Sequence, residues 1–217
     1  METISSNRPK IVVIGSCNTD MVVKANRLPV PGETILGGTF YMNPGGKGAN
    51  QAIAAARLGA EVTFISKIGY DLFGLQALEI YRSEKINTEF IFTDQKSPSG
   101  VALISVDSFG ENSIIVAPGA SRSLSTEDIN KAEEKIKEAD IILMQLEVPI
   151  DTVEYAATIA NRYGKKVILN PAPASTLSIT DITAVSTLPP PSIYPLWVKR
   201  RLVSIFPTFT TTARSTS

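Results

Sequence analysis

The stretch Asp140-Ile141-Ile142-Leu143-Met144-Gln145-Leu146, followed by Asp151 to Tyr163 and then Lys166-Val167-Ile168-Leu169, decides the fold class. It reads as a strand, a helix capped by Gly164, and a second strand, the unit that builds a parallel sheet with crossover helices. The pattern repeats toward the N-terminus. Ile11-Val12-Val13-Ile14 is a short β-branched run of the kind that becomes a buried parallel strand. Gly48 to Leu58 has helical spacing of Ala49, Ala52, Ile53 and Ala56 and stops at Gly59. Glu61 to Ile68 reads as a strand, and Asp71 caps a helix running to about Ser83. Ser125-Thr126-Glu127-Asp128 opens a helix to Glu138 in capping-box style. The expectation is an α/β fold with a mostly parallel, doubly wound sheet and helices on both faces.

Two regions break that rhythm. Residues 21–42 lack helical period, and residues 99–117 hold two strands, Val101 to Val106 and Ser113 to Ala117, joined by Asp107, Ser108, Gly110 and Asn112. They read as a small separate β-sheet, a lid, with added edge strands of the main sheet as the alternative. Beyond residue 174 the chain changes character. All 14 glycines and 20 of the 21 acidic residues lie before that point, whereas the last 43 residues carry five prolines and 16 Ser/Thr. Residues 1–174 therefore read as the N-terminal part of an α/β domain. Residues 175–217 read as a Pro/Ser/Thr-rich tail, disordered or out of frame. A parallel sheet stopping at Asn170 would expose an edge, which points to marginal stability unless the tail covers it.

Composition narrows the chemistry. Lys+Arg and Asp+Glu are equal at 21 each, so no global field points to nucleic acid or an anionic membrane. The absence of histidine removes Ser-His-Asp and Cys-His catalysis and every His-ligated metal site. One cysteine, Cys17, forms no internal disulfide and fits a reducing compartment. No signal peptide and no apolar run of membrane-spanning length is visible, so a cytoplasmic protein is expected.

In open parallel sheets ligands bind outside the carboxyl ends of the strands. Asn18 and Asp20 follow the first strand, Glu147 follows Leu146, and Asn170 follows Leu169. Two carboxylates and two amides on one rim suit a polyol or sugar, because carboxylates accept hydroxyl protons and amides both donate and accept. Asn43-Pro44-Gly45-Gly46-Lys47-Gly48-Ala49-Asn50-Gln51-Ala52 is a glycine-rich turn feeding a helix. Its helix-end amides, with Lys47 and Asn50, can meet a small polar ligand. It is not a phosphate-cradling Walker loop, since Tyr41 stands where the first glycine belongs and Gly48 follows Lys47. Nor is it a dinucleotide fingerprint, since Gln51 replaces the third glycine.

Together these motifs resemble the N-terminal half of the ribokinase-like carbohydrate kinase family. The resemblance is carried in order by Ser16-Cys17-Asn18-Thr19-Asp20, Pro31-Gly32-Glu33-Thr34, Gly45 to Ala52, Gly69-Tyr70-Asp71-Leu72-Phe73-Gly74, Ser99-Gly100-Val101-Ala102, Gln145-Leu146-Glu147 and Asn170 to Ala174. It implies ATP-dependent phosphorylation of D-ribose at the 5-hydroxyl, with Mg2+ on ATP and a monovalent cation, K+, as activator. It implies sugar contacts at Asn18, Asp20, Gly45, Gly46, Lys47, Asn50 and Glu147, and a homodimer through the β-lid. The family's later Asn-x-x-Glu motif has its one counterpart here in Asn130 to Glu133, misplaced inside a helix. Its Gly-Ala-Gly-Asp string, which carries the anion hole and general base, is absent from these 217 residues. No catalytic residue and no ATP site is therefore assigned, and the chain alone is expected to be inactive. The alternatives are a sugar-binding or dimerising fragment without catalysis, or a kinase portion for another pentose, a hexose or a nucleoside.

Overall fold

A computed structural model describes residues 8–173 and 185–187. Strand β1 (Lys10–Ile14) lies at the middle of a six-stranded sheet between β4 (Glu61–Gly69) and β8 (Ile141–Gln145). β5 (Ile91–Asp94) adds one edge; β9 (Lys166–Asn170) and β10 (Val185–Thr187) extend the other. Every pairing in this sheet is parallel.

Side chains alternate between the two faces of a strand, so β1 divides its apolar residues. Val12 and Ile14 enter one core with Ile142, Met144, Val167 and Leu169. That core is covered by α3 (Thr126–Lys131), α4 (Glu133–Glu138) and α5 (Ile150–Arg162). Val13, Val62 and Phe64 enter the other, under α1 (Lys47–Arg57) and α2 (Leu72–Ser83). The expected doubly wound sheet is present.

The predicted helix from Ser125 to Glu138 is two segments. At Ala132 the backbone tightens, its N–H reaching Ile129 O at 3.0 Å, and the bend keeps Ile129, Ala132 and Ile136 all in the core. The expected Ser125–Asp128 capping box is formed. Strand β5 was not foreseen; its four residues are too few to show a period. Val185–Thr187 lies within the residues read as a tail, yet it pairs with Val167, Ile168 and Leu169. The open N–H and C=O groups of β9 supply the reason, since an unpaired strand edge is a template for further pairing. The remainder of residues 174–217 lies outside the described residues.

The lid is a distinct four-stranded sheet in the order β3 (Thr39–Gly45), β2 (Asn18–Lys24), β6 (Gly100–Val106) and β7 (Asn112–Ala117). It begins earlier than expected. Asn18 and Asp20 are the first and third residues of β2, so the polar residues assigned to the rim of the main sheet are built into the root of the lid.

The lid is bolted at its root. The Asp71 carboxylate caps α2 through the Gly74 N–H at 2.9 Å and accepts from the Ser99 N–H and hydroxyl, both at 2.7 Å. Where the chain leaves β7, a 3-10 turn (Gly119–Ser123) carries Ser123, whose hydroxyl donates to Asp94 at the end of β5.

Two outcomes follow from this packing. Ile142 is fully buried on a central strand, and Ile142→Ala is expected to cost about 2–5 kcal/mol, read as a lower urea midpoint at unchanged m. The Asp94 carboxyl is drawn down to about 2 by the Ser123 hydroxyl and then by the amides of Lys96 and Ser97. A lowered acid stabilises the fold above its ordinary value of 3.8, and that contribution disappears as pH falls toward about 2. Ser123→Ala is therefore expected to lower the melting temperature at pH 6, with the deficit closing below pH 3.8 in thermal melts.

Candidate functional site

The exit of β1 sets the position of everything around it. Gly48 in the first turn of α1 sits so close that an added Cβ would lie 2.6 Å from the carbonyl carbon of Gly15. Gly46, at the N-cap of α1, has φ +91°, a conformation open to glycine and strained for other residues. This turn swings the chain from β3 directly onto the carboxyl end of β1.

With no N-cap side chain available, α1 takes its acceptors from elsewhere. Glu147, just after β8, accepts from the Lys47 N–H at 2.8 Å and from Lys47 Nζ at 2.6 Å. The Ser16 hydroxyl donates to Glu147 Oε2 at 2.5 Å, the same oxygen that takes the Lys47 N–H, and accepts weakly from the Gly48 N–H at 3.4 Å. Ser16 O accepts from the Ala49 N–H at 3.0 Å. The sequence suggested that these helix-end amides would be offered to a ligand. The fold instead spends them on Glu147 and Ser16, because a buried amide without a partner is costly.

The two site carboxylates are in contrasting states. Burial pushes the Glu147 carboxyl up, but hydrogen bonds from Lys47 and Ser16 outweigh it and leave the group below its ordinary range. The Asp20 carboxyl is raised, first by burial and then by the charge of Glu147, with Lys47 only partly compensating. It rests against the backbone of Gly45, and no hydrogen bond contributes to its state. Asp20 is thus a carboxylate left without a donor among the described residues.

Asn18 pairs with Gly45 on one side and Gly100 on the other, is 5% exposed, and its Oδ1 has no partner among the described residues. Gly46 packs on Ser16 O and the Asn18 N–H. The structure therefore brings Asn18, Asp20, Gly45, Gly46, Lys47 and Glu147 together where the lid root meets the main sheet. Asn50 lies in the first turn of α1 and is exposed, with its N–H bonded to Gly46 O at 2.9 Å. Ser16 was quoted in the sequence motif without a role; its place directly after β1 was the available signal. Cys17, beside it, faces away from the cleft toward Tyr81, with Sγ and Oη 2.8 Å apart, and burial lifts its thiol to about 11. A thiol in that state is a poor nucleophile. Among the described residues no three His, Cys, Asp or Glu side chains converge to hold a metal ion, and no helix is long and apolar enough to cross a membrane.

A mostly parallel, doubly wound sheet joined to a separate small mixed sheet defines a two-sheet α/β protein. The model of the pfkB family of carbohydrate kinases matches residues 8–190, and the chain belongs to that family. The match continues past Ala174, where the motif resemblance stopped, and takes in β10. The chain is 44% identical over 183 residues to the ribokinase of Haemophilus influenzae, covering 84% of this chain and 60% of that protein. It is 42% identical over 164 residues to the deoxyribokinase of Salmonella typhi, covering 76% of this chain and 54% of that protein. The solved ribokinase of Arabidopsis thaliana, complexed with ribose and ATP, superposes with a TM-score of 0.65 at 33% identity, covering 75% of this chain and 53% of that one. The chain spans about half to three fifths of the length of these relatives.

The open acceptor has a stability consequence. A carboxyl whose folded-state value is raised opposes folding once it ionises, and the penalty is absent below its ordinary value of 3.8. Asp20→Asn is expected to raise the melting temperature at pH 7 and leave it unchanged at pH 3, measured by circular dichroism.

Proposed function

We propose that this chain is the sugar-binding portion of an ATP-dependent kinase acting on the 5-hydroxyl of D-ribose. The observation that carries the reading is the half-buried Asp20 carboxylate, unpartnered and raised, next to a Glu147 that is fully engaged. An ionised acceptor without a donor is a standing demand for hydroxyl groups, and vicinal sugar hydroxyls meet it with two O–H donors at matched spacing. Asn18 adds an amide and Lys47 a cation at the same cleft, while Gly45 and Gly46 let backbone approach the ring. Asn50 extends the contact along the first turn of α1. The similarity to ribokinases supports ribose as the sugar; the similarity to deoxyribokinases makes 2-deoxyribose the competitor.

In this reading the lid closes over the sugar and excludes water, so that a phosphoryl donor meets the sugar hydroxyl rather than water. Its apolar residues, among them Phe40, Met42, Leu103 and Ile115, are exposed and suit a homodimer contact. ATP, Mg2+ and K+ belong to the proposed reaction through the family; among the described residues no three His, Cys, Asp or Glu side chains converge. With no Gly-Ala-Gly-Asp string among the 217 residues, the chain by itself is proposed to hold sugar without transferring phosphate.

Isothermal titration of the purified chain with D-ribose, 2-deoxyribose and fructose tests this. Saturable ribose binding is expected, weakened at least about tenfold by Asp20→Ala. Heats identical for Asp20→Ala and the unaltered chain would overturn the site. Tighter binding of 2-deoxyribose would reassign the sugar.

A further inference from the structure

Ser16 is 1% exposed, so it touches no sugar, yet its hydroxyl sits at the centre of the cleft's hydrogen bonding. A hydroxyl has one proton, and here it goes to Glu147 Oε2, while its lone pair faces the Gly48 N–H. Glu147 Oε2 also holds the Lys47 N–H, and Oε1 holds Lys47 Nζ. Three donors from two segments therefore fix one carboxylate, and of the three only Ser16 is independent of the glycine-rich turn. Remove it, and Glu147 is tied solely to Lys47, a half-exposed side chain on that same turn. The carboxylate would then lose its one tie to the exit of β1, while the turn keeps the Ala49 N–H to Ser16 O bond.

Resting on the sugar-binding reading of this cleft, we propose that Ser16 is a positioning residue: its hydroxyl fixes Glu147 to the exit of β1 and thereby holds Lys47, bound to that carboxylate, in the geometry that receives the sugar. The consequence extends to Asp20. The charge of Glu147 is one of the influences that hold the Asp20 carboxyl up, so a Glu147 free to swing or protonate changes the acceptor beside it. Lys47 is ion-paired with Glu147 and is also the positive charge that partly offsets the rise at Asp20. By fixing Glu147, Ser16 also bears on where the Lys47 charge sits relative to Asp20.

The test uses the full chain with Ser16→Ala and Ser16→Cys, the latter keeping the volume with a weaker donor. The first readout needs no sugar: side-chain carboxyl titration by 13C NMR, with Glu147 assigned through Glu147→Gln. Loss of a donor to a buried carboxylate disfavours its ionised form, so the Glu147 midpoint is expected to rise in Ser16→Ala and by less in Ser16→Cys. The second readout is D-ribose affinity against pH. Affinity in Ser16→Ala is expected to fall about tenfold at pH 7, and its acid limb to move to higher pH with the Glu147 midpoint.

An unmoved Glu147 titration in a folded Ser16→Ala chain overturns the proposal, as does an affinity loss with no change in its pH profile, which marks a structural defect alone. Should Ser16→Ala fail to fold, Ser16→Cys decides by the same titration. If the unaltered chain binds no ribose, the functional reading fails for this chain, while the carboxyl titration still decides whether Ser16 governs Glu147.

Discussion

The backbone of α1 rests directly on the backbone leaving β1, and the site depends on that contact. Gly48 and Gly15 approach so closely that a Cβ on Gly48 would fall 2.6 Å from Gly15 carbon, and one on Gly15 would fall 2.9 Å from Gly48 Cα. Only because neither carries a side chain do the Ser16 carbonyl and hydroxyl reach the first amides of α1, and only then does Glu147 arrive beside Lys47. The contact joins three chain segments far apart in sequence: the end of β1, the glycine-rich turn, and the loop after β8. It also fixes the start of the lid, because Asn18 is two residues from Ser16 and opens β2.

Around that contact the same chemical group serves two purposes according to its donors. Glu147 has three; Asp20 has none among the described residues and, in the proposed reading, is left for ligand hydroxyls. The energetic asymmetry is general. A satisfied buried carboxylate contributes to the fold, whereas an unsatisfied one is a cost the fold carries for binding. Asn18 Oδ1, buried without a partner among the described residues, repeats the pattern on a neutral group. The polar atoms that make the cleft a candidate site are those the rest of the protein does not satisfy.

Much of the fold was legible from periodicity. The β-branched run at residues 11–14, the alanine spacing of α1, the Asp71 cap and the Ser125 capping box each specify local structure from neighbouring residues, and each stands where expected. The separate lid was legible too, since residues 21–42 and 99–117 carry neither helical spacing nor the glycine-terminated rhythm of the main sheet. The misses have one cause. β5, the bend at Ala132 and the pairing of Val185–Thr187 with β9 arise from contacts with distant segments, and four or three residues hold too little pattern to announce them.

For the site, the sequence by itself named the candidates: Asn18, Asp20, Gly45, Gly46, Lys47, Asn50 and Glu147 are residue types suited to a sugar, placed after strands or at a helix start. It also determined what chemistry was closed, because a chain without histidine has no imidazole base or ligand. Tertiary structure decided the division of labour. That Asp20 is open and Glu147 engaged, that the amides of α1 are used internally, and that Ser16 rather than Cys17 faces the cleft depend on which donors lie within hydrogen-bonding distance. Such distances are set by the packing of β1, α1 and β8, whose residues are about 30 to 130 positions apart in the chain. Local propensity acts over a few residues, and hydrogen bonding across those separations exists only once the sheet is assembled.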